Sequence, residues 1–325
     1  MPRAVIADAF GPPDSYELRE VPGKTPGANE VLVSIKAAGI SFVDVLTAAG
    51  NYQVKPPLPF IPGSEAAGIV AAIGAGVTGF APGDRVVCSN WGGLFADEIV
   101  LEEAALTPVP AAMELVEAAV FPVSYATAWH ALADRAQLKP GETVLVLGAG
   151  GATGYAAVQI AKHLGARVIG SASSEAKREL ALAGGADAAV DARSPEWRAA
   201  VKAANGGKGV DVVFDPVGGE ATDPAFRCLG WGGRHLVIGF PGGIAALRTN
   251  LPLLKGASLI GVDIRQFGIF EADKSAANKV RIFTLANEGK LRPAIAATYP
   301  LEDFAAAMSE AAKGVSAGRI VLTMP

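Results

Sequence analysis

The 325-residue sequence predicts an α/β protein in which a doubly wound parallel sheet is preceded by a separate β-rich domain. Three observations predict it. Residues 143–170 read as strand, glycine-rich turn, helix and strand within about 30 residues, the unit from which doubly wound sheets are built. From about Ser124 onward, short apolar runs alternate with helix-period segments. Before that point the chain is cut into short strand-like runs by frequent glycine and proline turns.

Taken in order, Val31, Val33 and Ile35 alternate with Leu32, Ser34 and Lys36, the pattern of a half-buried strand. Residues 63–73 (GSEAAGIVAAI), 85–88 and 95–101 read as further strands, separated by the turn signals Gly74-Ala75-Gly76 and Pro82-Gly83-Asp84. Together they predict a small barrel-like domain over residues 1–123. Strands at 143–147, 167–170, 188–190, 210–214, 235–238 and 258–262, with helical segments between them, predict a complete doubly wound sheet in a domain over residues 124–263. Two helices at about 273–288 and 301–313 and a last strand at Arg319–Thr323 do not extend that sheet. They are expected to return to the first domain, which residues 264–325 would complete.

Composition narrows the classes. Hydrophobic residues make up 50% and charged residues 18%, values of an ordinary folded chain. The net charge of −4, with no basic cluster, argues against a nucleic-acid or anionic-membrane surface. Residues 1–10 (MPRAVIADAF) lack the charged head and apolar core of a signal peptide, and no run suggests a membrane span. The two cysteines, Cys88 and Cys228, form no CxxC pair and fit a reduced, cytoplasmic setting.

The stretch TVLVLGAGGATG (143–154) carries the chemistry. A helix N-terminus presents unpaired N–H groups and partial positive charge, which attract a pyrophosphate. Close approach requires that side chains be absent at the bend, hence Gly148, Gly150 and Gly151; Ala152 and Thr153 stand between the glycines, and Gly154 lets the helix pack on the sheet. A dinucleotide site is therefore expected here. An NAD site usually places an acid about 20 residues beyond the glycines. Here that place holds Ser171, followed by Ser173, Ser174, Glu175 and Lys177. Small hydroxyls beside a lysine suit a 2′-phosphate and hence NADPH. Alternatively, Ser173 or Ser174 caps the next helix and Lys177 is a solvated charge. Gly239, Phe240 and Pro241 follow the strand at 235–238, at the carboxyl edge where such sheets bind ligands.

Six motifs in order carry a family resemblance along nearly the whole chain: GSEAAGIV (63–70), GDRVV (83–87), ATAWHAL (126–132), PGETVLVLGAGGATG (140–154), GVDVVFDPVGG (209–219) and GRIVL (318–322). The sequence resembles the medium-chain dehydrogenase/reductase superfamily, specifically its zinc-free NADPH:quinone oxidoreductase branch. The resemblance implies a GroES-like catalytic domain interrupted by a Rossmann domain, an active site in the cleft between them, and a homodimer formed through edge strands. It implies hydride transfer from NADPH to a quinone or other α,β-unsaturated carbonyl. An enoyl-thioester or alkenal reductase is the nearest alternative, and a nucleotide-binding protein with negligible turnover is the alternative of another class.

The resemblance also distributes roles. Tyr52, in GNYQVKPPLPF, matches a tyrosine lining the substrate pocket, able to bond a quinone oxygen or deliver a proton; the other reading is a loop tyrosine packed on prolines. Ser41 stands where the family usually has asparagine, with contact to nicotinamide or substrate implied. Thr127 matches the threonine that bonds the carboxamide, Val217 of the DPVGG motif is grouped with the cofactor contacts, and the resemblance implies that Ile264–Phe267 lies near the nicotinamide or the cleft wall. Ala192 replaces a tyrosine that packs beside the 2′-phosphate, leaving Arg193 as a candidate substitute. Arg319 takes the family's lysine position, for which the resemblance implies reach to the cofactor. Zinc-dependent relatives place cysteine at Ser41 and histidine at Ser64, and serines are not the thiolate, imidazole or carboxylate ligands zinc takes. No metal is expected. His130, His163 and His235 read as structural, Cys88 as a buried small hydrophobe, and Trp91 as either cleft or core aromatic.

Overall fold

Alternating burial in Glu30–Ile40 builds the first sheet: Val31, Val33, Ile35 and Ala37 point inward, and the residues between them are half-exposed. The computed structural model describes residues 1–53 and 55–325. Strands β1 (Arg3–Ile6) and β2 (Glu17–Glu20) form an antiparallel pair. A larger sheet follows, from β3 (Glu30–Ile40), β4 (Glu65–Ile73), β5 (Arg85–Ser89), β6 (Glu98–Glu102) and β7 (Leu106–Pro108). On one side β3 pairs with β4. Its other edge is shared, residues 30–34 pairing with β6 and 37–40 with a strand from the chain's end. Val33, Ile35, Val70, Val86, Phe95, Phe304 and Ile320 belong to one buried core here.

The second sheet contains β8 (Thr143–Leu147), β9 (Arg167–Ala172), β10 (Ala188–Asp191), β11 (Val210–Asp215), β12 (Leu229–Val237) and β13 (Ser258–Gly261). Their spatial order is β10-β9-β8-β11-β12-β13, and every pair is parallel. This is the doubly wound order the strand count predicts, with the direction of winding reversing between β8 and β11. β8 is buried at every position, as a central strand covered on both faces must be. The expected strand at 235–238 is longer and begins at Leu229.

The last strands, β14 (Ile295–Pro300) and β15 (Arg319–Thr323), join the first sheet, β15 against β3 and β14 parallel to β15. Packing divides the chain into residues 1–122 with 294–325, and residues 123–293. The expected return to the first unit at residue 264 is thus displaced to 294. The physical reason is a polar knot at Asp134, in the π-helical segment His130–Arg135. Asn278 donates to Asp134 at 2.7 Å, Lys274 pairs with it at 3.5 Å, and His130 bonds it at 2.9 Å. His130 also stacks on Phe267 at 3.7 Å. Both helices of this segment, Ile264–Phe270 and Ala272–Asn287, are thereby fastened to the second unit.

Candidate functional site

The turn after β8 is shaped by what a side chain would strike. Gly148 has φ +57°, and a Cβ on it would stand 3.2 Å from Val217 Cγ2, so Val217, just beyond β11, faces the turn. A Cβ on Gly150 would come within 2.5 Å of the Lys177 Cβ, and one on Gly154 within 2.2 Å of the Gly148 carbonyl oxygen. Gly151 begins the helix Ala152–His163 with no side-chain cap, and Ala152 and Thr153 form its first turn. A bend without side chains, leading into a helix whose first N–H groups are uncapped by side chains, fits a dinucleotide pyrophosphate. It lies at the carboxyl edge, where β8 and β11 adjoin.

Beyond β9 the two readings of the hydroxyl run separate. Ser174 caps the helix Glu175–Ala183, accepting from the Lys177 N–H at 3.4 Å, whereas Ser173 is exposed. Ser171 is buried, and its carbonyl accepts from the Ala149 N–H at 3.1 Å, tying the strand end to the glycine turn. Lys177 is half-buried, and burial lowers its amine from the usual lysine range. A phosphate beside it would offset that loss of hydration. Arg193 is exposed and turned toward Asp191 at 3.7 Å.

On the other side of the switch point, Asp215 organises the next loop. Its carboxylate is 1% exposed. It accepts from the N–H groups of Val217 at 3.0 Å and Gly218 at 2.8 Å, from the Thr222 hydroxyl at 2.7 Å, and bonds His235 Nε2 at 3.0 Å. The loop then holds the segment after β12. Gly242 N–H donates to the Val217 carbonyl at 2.8 Å and Gly219 N–H to that of Gly243 at 2.7 Å. Gly239, Phe240 and Pro241 thus lie beside Val217–Gly219, with Phe240 48% exposed. Asp215 did have a sequence signal, since an acid two residues before a turn N–H is an Asx turn and DPVGG is turn-rich.

Thr127 is buried in the helix Pro122–Trp129 and donates to the Val123 carbonyl at 2.7 Å. That bond uses its proton and leaves oxygen lone pairs for a carboxamide N–H. Ile264 opens its helix, which Asp263 caps. His163 packs on Trp129 and His235 is buried, in line with structural roles.

In the first unit, Ser41 is the N-cap of the helix Phe42–Ala48 in a reciprocal capping box. Its hydroxyl donates to Asp44 at 2.7 Å and accepts from the Asp44 N–H at 3.1 Å. The Ser-x-x-Asp spacing signals this box in sequence. Burial raises the Asp44 carboxyl, against hydrogen bonds from Ser41 and Ser64 and the charge of Arg319. Arg319 is itself buried, 3.2 Å from Glu65. Tyr52 stacks on Trp91 at 6.3 Å and 28°, and Trp91 is 58% exposed, which removes it from the core. Val54, in the same GNYQVKPPLPF segment, lies outside the described residues. Cys88 is buried in the core and its thiol is pushed up to about 12 by burial.

A doubly wound sheet with a glycine turn at its switch point, in a chain that also folds a β-rich unit, defines a nicotinamide-dependent oxidoreductase class. Comparison with known proteins places the chain within it. Residues 27–111 match the model for an alcohol dehydrogenase GroES-like domain and residues 152–277 that for a zinc-binding dehydrogenase. The rat quinone oxidoreductase-like protein 2 is 38% identical over 315 residues, covering 94% of this chain and 88% of the relative. A mycobacterial protein solved in complex with NADPH superposes with a TM-score of 0.89 at 27% identity, covering all of both chains. The CurK enoyl reductase gives 0.89 at 27% identity over 100% of this chain and 99% of its own. The chain belongs to the medium-chain dehydrogenase/reductase superfamily, in its quinone oxidoreductase branch.

Among the described residues, no helix is long and apolar enough to cross a membrane.

Proposed function

We propose that this oxidoreductase uses NADPH to reduce a quinone or similar conjugated carbonyl without a metal. The observation that carries the cofactor choice is the end of β9, where exposed Ser173 and half-buried Lys177 stand in place of a ribose-binding acid. Gly150, Gly151, Ala152 and Thr153 would hold the pyrophosphate, Ser171, Ser173 and Lys177 the 2′-phosphorylated ribose, and Thr127, Val217, Gly239–Pro241 and Ile264 the nicotinamide half. When bound, the nicotinamide supplies the hydride. The chain's own work is orientation and exclusion of water. Asp215 fixes the Val217–Gly218 backbone, and Thr127 presents an acceptor oxygen. Tyr52 offers a phenol to the acceptor's oxygen, and its stack with exposed Trp91 suits a flat, conjugated substrate. Ser41 positions Asp44, and Arg319 neutralises Glu65.

Metal independence rests on donor chemistry. Ser41 and Ser64 occupy the places of cysteine and histidine ligands, and both hydroxyls are bonded to Asp44. A conjugated acceptor spreads incoming charge without a Lewis acid. The enoyl-thioester reading keeps support from the CurK likeness. We also read the chain as a cytoplasmic homodimer. Leu259, on edge strand β13, and neighbouring Trp231, Leu253 and Leu254 are exposed apolar side chains suited to a second copy; a monomeric mass in solution would contradict it.

The test is NADPH and NADH oxidation by purified protein against quinones, enals and enoyl-CoA esters. NADPH should be preferred, with quinones the best acceptors. Lys177→Ala should weaken NADPH by about tenfold while sparing NADH. Oxidation with none of the three acceptor classes would leave only a nucleotide-binding role. Equal losses for both cofactors would remove Lys177 from the phosphate site.

A further inference from the structure

Asp191 is the last residue of β10 and pairs in register with Ala172 of β9, so it stands next to the turn that carries Ser173. The Ala192 N–H donates to the Ala172 carbonyl at 3.1 Å and draws the two strand ends together. Two guanidinium groups converge on this single carboxylate, Arg178 at 3.5 Å and Arg193 at 3.7 Å. One acid against two arginines leaves net positive charge at the edge where a ribose 2′-substituent would sit. The backbone N–H of Arg193, and after it the charges of both arginines, lower the Asp191 carboxyl.

The two arginines are held differently. Arg193 has a side chain 69% exposed, and its backbone N–H is already bonded to Asp191 at 3.0 Å. Arg178 has a side chain only 23% exposed and follows Lys177 on the helix capped by Ser174. Its Nη1 is buried and makes no hydrogen bond among the described residues. A guanidinium beside an acid, within ion-pair distance but without a hydrogen bond from Nη1, has donor capacity left over. A phosphate dianion offers it short, bidentate, charge-assisted bonds.

We propose that Arg178 is a specificity-determining residue for the adenosine 2′-phosphate. This deepens the NADPH reading and rests on it. On cofactor binding, Arg178 turns from Asp191 onto the phosphate, while Lys177, lying against Gly150, supplies a second charge from the side of the glycine turn. Arg178 thereby fills the place left by Ala192, and Arg193 serves mainly to keep Asp191 neutralised once Arg178 has left it.

The test is the dissociation constant of NADPH and of NADH, read by protein fluorescence on the full chain at fixed ionic strength. Wild type is compared with Arg178→Ala, Arg178→Gln and Arg193→Ala. The near-isosteric glutamine variant keeps the test open should the alanine variant fold poorly. Both Arg178 variants should lose about tenfold or more in NADPH affinity and change NADH by no more than about twofold. Arg193→Ala should lose less. An unchanged NADPH-to-NADH ratio in the Arg178 variants, or a larger loss in Arg193→Ala, overturns the proposal while leaving the NADPH reading in place. A wild type with no preference for NADPH overturns both.

Discussion

Gly154→Val is expected to weaken cofactor binding by about a hundredfold or more, because the turn that would meet the pyrophosphate has no room to keep its shape. Even a methyl group at position 154 would stand 2.2 Å from the Gly148 carbonyl oxygen, 2.7 Å from its carbon and 3.0 Å from the Ala149 Cα. All three are backbone atoms, so no rotamer change relieves the contact. Either the helix Ala152–His163 lifts from the sheet or the bend at Gly148 opens, and both displace the N–H groups that anions meet. Overpacking of this kind costs about 1–3 kcal/mol of stability as well. A titration of NADPH against the variant, with circular dichroism to confirm folding, checks the prediction. Near-normal affinity in a folded variant would mean that the pyrophosphate binds elsewhere.

The second large effect is on stability. Asp215→Ala should destabilise the second unit by about 3–5 kcal/mol, since removing one buried partner strands all the others. Two backbone N–H groups, the Thr222 hydroxyl and His235 Nε2 would lose their acceptor inside the protein. At about 2–4 °C per kcal/mol for a domain of this size, the midpoint should fall by roughly ten degrees. Asp215→Asn should cost less, because an amide oxygen can still accept from Val217 and Gly218. Burial alone would raise the Asp215 carboxyl, but His235, the Gly218 N–H and Thr222 together lower it. A lowered carboxylate stabilises the fold above its ordinary range of about 4, and that stability is lost as pH falls through the folded value. The gap between wild type and Asp215→Asn should therefore hold at neutral pH and close in acid. Thermal melts from pH 7 down to 3 would show it; a gap that widens on acidification would contradict the assignment.

The parts legible in the sequence were those written in local pattern. β8, its glycine turn and the helix after it follow from an apolar run, small residues at the bend and a 3.6-residue period. Alternation in β3 disclosed its buried face. What stayed hidden depends on partners distant in the chain. Asn278 and Lys274 find Asp134 across more than a hundred residues, so the boundary at 294 has no local mark. Strand β14 (IAATYP) alternates in burial, but its sequence does not show it: two adjacent alanines, a threonine and a closing proline carry no apolar alternation. At the site, Lys177 stood out by its spacing from the glycines, whereas Arg178 looked like any helix-surface arginine. Only the register of β9 and β10 brings it to Asp191. Ser41 shows the opposite case. The resemblance directs attention to its place near substrate, while its Ser-x-x-Asp spacing already stated the capping bond it makes.

The NADPH reading requires a dinucleotide lodged at the turn following β8 with its 2′-phosphate toward the end of β9. A crystal structure of the protein grown with NADPH tests it most directly. The pyrophosphate is expected against the backbone of Gly150–Thr153 and the 2′-phosphate between Ser173, Lys177 and Arg178. A cofactor bound in the same crystal away from that turn, or seated there with its 2′-phosphate pointing away from Lys177 and Arg178, would contradict it.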